Sequence, residues 1–192
     1  MAKGRILFVN QEIMPFSAES EESILGRYLP ARTQEIGREI RVFMPKFCEV
    51  NDRKHQLHEV IRLSGMNLIV NNCDHQLIIK VGSIPSARMQ VYFIDNEEYA
   101  ISGKNMLDGH RHVPADTDER LLFFGRGTLE AVRKLAWQPH LINFSGWSTA
   151  MIPFYLRRIN KENAFFNGTK MVITLMNDRF DGPIGGDLTP WE

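Results

Sequence analysis

The first 45 residues read as strand, helix, strand, and that order constrains the fold more than any other feature of the chain. Gly4-Arg5-Ile6-Leu7-Phe8-Val9-Asn10 is a short run of strand formers closed by polar residues, which predicts a buried first strand. The turn Pro15-Phe16-Ser17-Ala18 interrupts it. From about Ser20 to Ile36 the apolar residues Ile24, Leu25, Tyr28, Leu29 and Ile36 recur near helical spacing. Glu19, Glu21 and Glu22 stand where the helix dipole favours negative charge, and Gly37 is placed as a C-cap. Ile40-Arg41-Val42-Phe43-Met44-Pro45 is a second strand, stopped by proline. This βαβ unit implies a parallel sheet.

The rest of the chain extends that pattern. Between about His58 and Ile94 lie four short apolar runs, Val60-Ile61-Arg62-Leu63, Leu68-Ile69-Val70, Leu77-Ile78-Ile79-Lys80-Val81 and Met89-Gln90-Val91-Tyr92-Phe93-Ile94. They lack helical period and read as hairpin strands plus one or two sheet strands. Residues 99–117 are polar and read as a loop. Leu121, Leu122, Phe124, Leu129, Val132 and Leu135 then define a strong helix that Asp116 or Thr117 is able to cap. Strands are expected over Pro139 to Phe144 and Lys170 to Leu175, with a helix from Thr149 to Ile159 between them. The tail from Asn177 is rich in Gly and Pro and reads as irregular. The fold class is α/β, a Rossmann-like doubly wound, mostly parallel sheet with a β-hairpin insertion, expected as one domain over residues 1–192.

Charge and cysteine content narrow the function. Lys plus Arg and Asp plus Glu both total 23, so there is no long-range positive field to draw nucleic acid or an anionic membrane. The apolar run Ile6 to Val9 is too short for a signal sequence or a membrane span, which points to the cytoplasm. Cys48 and Cys73, a lone pair far apart, fit a reducing compartment and read as two buried thiols.

In a doubly wound sheet ligands sit at the carboxyl ends of the strands. The segment after the first strand, Gln11 to Glu22, has no glycine to let backbone amides approach a phosphate, and it carries Glu12, Glu19, Glu21 and Glu22. Phosphate cradling is not expected there. His55 with His58, His110 with His112, and Cys73-Asp74-His75 carry zinc-ligand chemistry but match no ligand spacing; surface histidines, no metal and no cofactor are expected. Trp147, just past a predicted strand, is either a sugar-stacking platform or a core aromatic.

Several stretches, taken in order, resemble the bacterial glycogen synthases and plant starch synthases, which extend α-1,4-glucans from ADP-glucose. They are Ile6-Leu7-Phe8-Val9 with Glu12-Ile13-Met14-Pro15-Phe16, Leu29-Pro30, Ile36 through Phe47, Val91 through Tyr99, the helix Arg120 to Trp137 with Gln138-Pro139, and Gly146 through Pro153. The resemblance covers nearly the whole chain. It implies the N-terminal half of a two-domain GT-B glycosyltransferase with its active site between the halves, and a C-terminal nucleotide-binding domain that these 192 residues do not include.

The residues carried over by that resemblance are altered. Where the family has a Lys-x-Gly-Gly-Leu loop for the donor phosphates, this chain has Ala18, Glu19, Ser20, Glu21 and Glu22, losing a cation and gaining carboxylates that repel a diphosphate. The family's His-Asp-Trp-His motif is Ser145-Gly146-Trp147-Ser148, and its Thr-x-His-Asn is Thr174-Leu175-Met176-Asn177. Asp116 and Arg120 match an aspartate and arginine four apart at the start of the long helix. Asp116, Arg120, Trp147, Thr149 and Asn177 are the candidate substrate-binding residues; Ala18, Ser20, Glu21, Ser145, Ser148 and Met176 mark the altered positions. The expected function is a glycogen or starch synthase-like protein of α-glucan metabolism, a glucan-binding or regulatory relative without catalysis in isolation. The alternative is an active transferase moving glucose from ADP-glucose to an α-1,4-glucan. Expected partners are an α-glucan or ADP-glucose, and a second copy or another glycosyltransferase.

Overall fold

The computed structural model describes residues 4–99, 117–162 and 164–176. The elements in order are β1 (Arg5–Asn10), α1 (Glu21–Glu35), β2 (Glu39–Pro45), a single turn α2 (Asp52–His55), β3 (His58–Glu59), β4 (Met66–Val70), β5 (Cys73–Ile84), β6 (Met89–Asp95), α3 (Thr117–Lys134), β7 (Leu141–Ser145), α4 (Ile152–Glu162) and β8 (Lys170–Thr174). They form one sheet in the order β3-β5-β6-β2-β1-β7-β8, with β4 paired to β5. β6, β2, β1, β7 and β8 are parallel, and β5 joins them antiparallel to β6. The parallel part has the doubly wound order expected of the βαβ start, and β3 to β5 are the hairpin insertion. Among the described residues no helix is long and apolar enough to cross a membrane.

Both faces of the central strands β1, β2, β6 and β7 are covered, which is why they read as largely apolar runs. Alternation divides the core in two: Leu7, Val9, Phe43, Ile94, Ile142 and Phe144 pack beneath α3 and α4, while Phe8, Val42, Met44, Val91 and Phe93 face the opposite side. Each such fully buried side chain stabilises the fold by about 1.5–3 kcal/mol. β1 is central, and its last four residues are all buried.

Four expectations are corrected. The apolar spacing in α1 forms the helix but does not form its buried face. Ile24, Tyr28, Leu29 and Ile36 are exposed, whereas Glu22, Ser23, Gly26, Pro30 and Ala31 are buried. The cause is close approach: a Cβ on Gly26 would run into the Glu12 carbonyl, so only the small-residue face fits against the chain leaving β1. The run Val60 to Leu63 is a turn, in which Leu63 N donates to Val60 O, and β4 starts only at Met66. Cys48 and Cys73 are exposed, because Cys48 lies in the turn after β2 and Cys73 at the outer start of β5, both beyond the layers of the core. His58 and His140 are exposed as expected, but His55 and His75 are half-buried. The predicted 99–117 loop except its end residues, His110, His112, Asp116, Asn177 and the tail lie outside the described residues.

Candidate functional site at the carboxyl ends of the strands

The sheet reverses its winding between β1 and β7, and the crevice beyond the carboxyl ends of these strands is where such a fold places a ligand. Here the crevice is bridged by the chain itself. Gln11 N donates to Ser145 O at 3.0 Å, Gln11 Oε1 accepts from Ser148 N at 2.9 Å, and Gln11 Nε2 lies 3.4 Å from Glu22 Oε2. Gln11 and Glu22 are both buried. Gly146 has φ 87° and ψ 151°, a conformation reserved to glycine, and its bare Cα is covered by Glu22 and Gln11.

The amino end of α1 is equally engaged. Ser20 forms a capping box: Ser23 N donates to Ser20 Oγ at 3.0 Å and Ser20 N to Ser23 Oγ at 2.9 Å. The Ser20 hydroxyl in turn donates to Glu12 Oε2 at 2.6 Å. Glu12, Glu21 and Glu22 surround this turn and answer the partial positive charge that a phosphate would otherwise use.

Beside this crevice, at the ends of β2 and β6, is a small niche of about 40 Å³ lined by Lys46, Asn96, Tyr99, Arg120 and Ser148 over the rings of Phe47, Phe123 and Phe124. It has room for about one water or one corner of a sugar. The Arg120 guanidinium stacks over the Tyr99 ring at 5.2 Å. The Tyr99 hydroxyl donates to Glu119 Oε2 at 3.2 Å and lies 3.0 Å from His75 Nε2, while His75 Nδ1 is 2.6 Å from Glu98 Oε2. This network ties the hairpin to the start of α3. On the other flank Lys46 and Lys80 share Asp52 at 3.1 and 2.8 Å, and Lys80 reaches Asp95 at 2.6 Å. Burial alone would raise the Asp52 carboxyl, but hydrogen bonds from Lys80 and Lys46 outweigh it and hold the carboxyl below its ordinary value. Burial likewise opposes the charge on Lys80, and hydrogen bonds to Asp52 and Asp95 overcome it and raise its pKa.

The structure brings together Arg120, Ser145, Trp147, Ser148 and Thr149 at this end of the sheet. Trp147 is partly buried and packs against the core cluster beneath β2 and β6. Thr149 is buried and donates its hydroxyl to Gly146 O at 2.7 Å. Ser145 and Ser148 are buried, and neither hydroxyl has a hydrogen-bond partner among the described residues. Ala18 and Glu21 are exposed, Ser20 caps α1, and Met176 is half-buried just past β8. Sequence reading missed Gln11, Lys46, Asn96, Tyr99 and His75 as parts of one site. Tyr99 and His75 are 24 residues apart, and no local pattern joins them. Among the described residues no group of three or more His, Cys, Asp or Glu is placed to hold a metal ion.

The family model described as the starch synthase catalytic domain matches residues 5–191. This chain belongs to that family. Among its relatives, glycogen synthase of Chlorobium phaeobacteroides is 35% identical over 176 residues, covering 90% of this chain and 36% of the relative. Glycogen synthase of Chlorobium limicola is 33% identical over 175 residues, with the same coverage. A solved structure, the catalytic domain of Starch Synthase IV from Arabidopsis thaliana bound to ADP and acarbose, superposes with a TM-score of 0.72 over 90% of this chain and 34% of that one, at 15% identity. The α/β sheet is therefore that of the GT-B starch synthase fold. This starch synthase family chain spans about a third of the length of the relatives it matches.

Proposed function

We propose that this chain is a glucan-binding or regulatory relative of the α-glucan synthases that does not transfer glucose by itself. The observation that carries the reading is the occupied crevice between β1 and β7, where Glu22, Gln11 and the Ser20 capping box use the space and the amides a donor diphosphate would need. In glycosyl transfer from a nucleotide sugar, negative charge gathers on the leaving phosphate, and preorganised cations and amides there are the main lever. Three carboxylates near that point work against it. Glucan binding makes smaller demands, and what supports it is the make-up of the niche, where polar side chains such as Lys46, Asn96 and Arg120 stand beside the rings of Phe47, Phe123 and Phe124. Asp116 and Asn177 are proposed to join them.

The reading includes a partner surface. β8 is the open edge of the sheet among the described residues, and Met171, Val172 and Ile173 on it are exposed. Antiparallel pairing of two β8 strands about Val172 sets Met171 against Ile173 and Lys170 against Thr174, opposing no like charges. We assign this edge to a second copy of the chain.

The test is transfer of labelled glucose from ADP-glucose to glycogen by the purified chain, with a maltooligosaccharide titration in the same buffer. Glucan binding without turnover is expected. Turnover would overturn the argument from the occupied crevice, and absence of binding would overturn the glucan-binding reading.

A further inference from the structure

A second and much wider opening lies at the opposite end of the sheet from the candidate site. It is an open groove of about 950 Å³ between the last turn of α1, the starts of β2 and β6, and the β5–β6 connection. Its charged lining is Arg38, Arg41, Arg88 and a single carboxylate, Glu39. The chain as a whole has no net charge, yet carboxylates gather at the carboxyl ends of β1 and guanidinium groups at the amino ends of β2 and β6.

Two of the groups in the groove are held in place. The Arg41 guanidinium stacks over Trp137 at 5.3 Å and donates to Ile40 O at 3.0 Å. Glu39 accepts the Trp137 indole N–H at 2.6 Å and lies 3.8 Å from Arg41, so it offsets part of one arginine's charge. Arg88 stands at a left-handed turn, φ 48°, whose carbonyl accepts from Gln34 Nε2 at 3.2 Å. Neither Arg38 nor Arg88 has a carboxylate partner among the described residues. Three guanidinium groups against one carboxylate leave two positive charges facing an open groove.

We infer that this groove binds a phosphoryl dianion, as free phosphate or as the phosphate ester of a small molecule. The guanidinium fork matches phosphate oxygens in paired hydrogen bonds, and two uncompensated charges match a dianion where a monocarboxylate would leave one unmet. The volume accommodates a whole metabolite rather than a bare ion. The site is separate from the glucan reading above and does not depend on it.

The test is thermal unfolding of the 192-residue chain titrated with inorganic phosphate, and in parallel with phenyl phosphate, at constant ionic strength set with chloride. The melting temperature rises saturably in the wild-type protein, and dissociation constants follow from the titration. In the Arg38→Gln/Arg88→Gln variant, both anions bind at least about tenfold more weakly, because two charge-assisted contacts are gone. Arg157→Gln, on the exposed surface of α4, leaves the response unchanged and controls for general charge effects. Tighter binding of phenyl phosphate identifies an ester as the ligand, and tighter binding of inorganic phosphate identifies the free ion. No saturable shift with either anion, or an equal shift in the Arg38→Gln/Arg88→Gln variant, overturns the proposal. Circular dichroism of the variants before titration confirms that each is folded, and ³¹P line broadening reports binding independently of stability.

Discussion

Gly146→Ala tests the occupied crevice directly. At φ 87° and ψ 151° Gly146 occupies a backbone region essentially closed to other residues, so alanine there costs about 1–3 kcal/mol in backbone strain alone. The added methyl meets the Gln11 side chain and the Glu22 carboxylate, both buried, and must displace the side chain whose Oε1 accepts from Ser148 N at 2.9 Å. Overpacking of this kind costs a further 1–3 kcal/mol or so. The sum is about 4 kcal/mol, which for a chain of this size lowers the melting temperature by roughly 10 °C. Thermal melts followed by circular dichroism, with urea titration to check that the slope is unchanged, provide the measurement. The double variant Glu22→Ala/Gly146→Ala should lose less than the sum of the two single changes by about 1 kcal/mol, since one clashing partner is gone while the backbone strain stays. A Gly146→Ala protein melting within about 2 °C of wild type would refute the placement of Glu22 and Gln11 in the crevice.

Three further outcomes follow from the geometry. Ser20→Ala removes the cap of α1 and the Glu12 contact, and lowers stability by about 1 kcal/mol in urea unfolding; an unchanged midpoint would contradict the capping box. Asp52 has a depressed carboxyl pKa, so its contribution is present above the ordinary carboxylate range and is lost as pH falls through the lower folded value. Asp52→Asn should therefore be less stable than wild type by roughly 1 kcal/mol at neutral pH, given its partial exposure, and the gap should close on acidification below about pH 4. A gap independent of pH would show that charge is not the cause. Light scattering should find wild-type dimers that grow with concentration and a monomeric Val172→Lys, which sets two lysines opposite each other; a wild type that stays monomeric would remove β8 as the contact.

Strand and helix order was legible because it rests on local patterning. Ile6 to Val9 and Val42 to Met44 are apolar runs, and Leu141 to Phe144 is one broken only by Asn143, as a sheet buried on both faces requires; their spacing around α1 and α3 leaves few topologies. The places to look were legible as well, since Ser20, Glu21, Ser145, Gly146 and Ser148 stand at or just beyond the carboxyl ends of β1 and β7. Periodicity misled in α1, where Ile24 and Tyr28 are spaced for burial yet exposed. A helix buries whichever face lets it approach, and contact with the Glu12 carbonyl requires Gly26 there.

Only the tertiary structure decided what these residues do together. Glu22 read as one of several surface carboxylates, but it is buried beside Gln11 and over Gly146, more than 120 residues further along the chain. The link from His75 through Tyr99 to Glu119, and the gathering of Arg38, Arg41 and Arg88 in one groove, likewise join residues from separate elements. Sequence patterning acts over a turn of helix or a few strand positions, so it determines which segments are strands and helices. Burial and charge pairing act through space, and which carboxylate fills a crevice depends on where the crossovers bring the chain back.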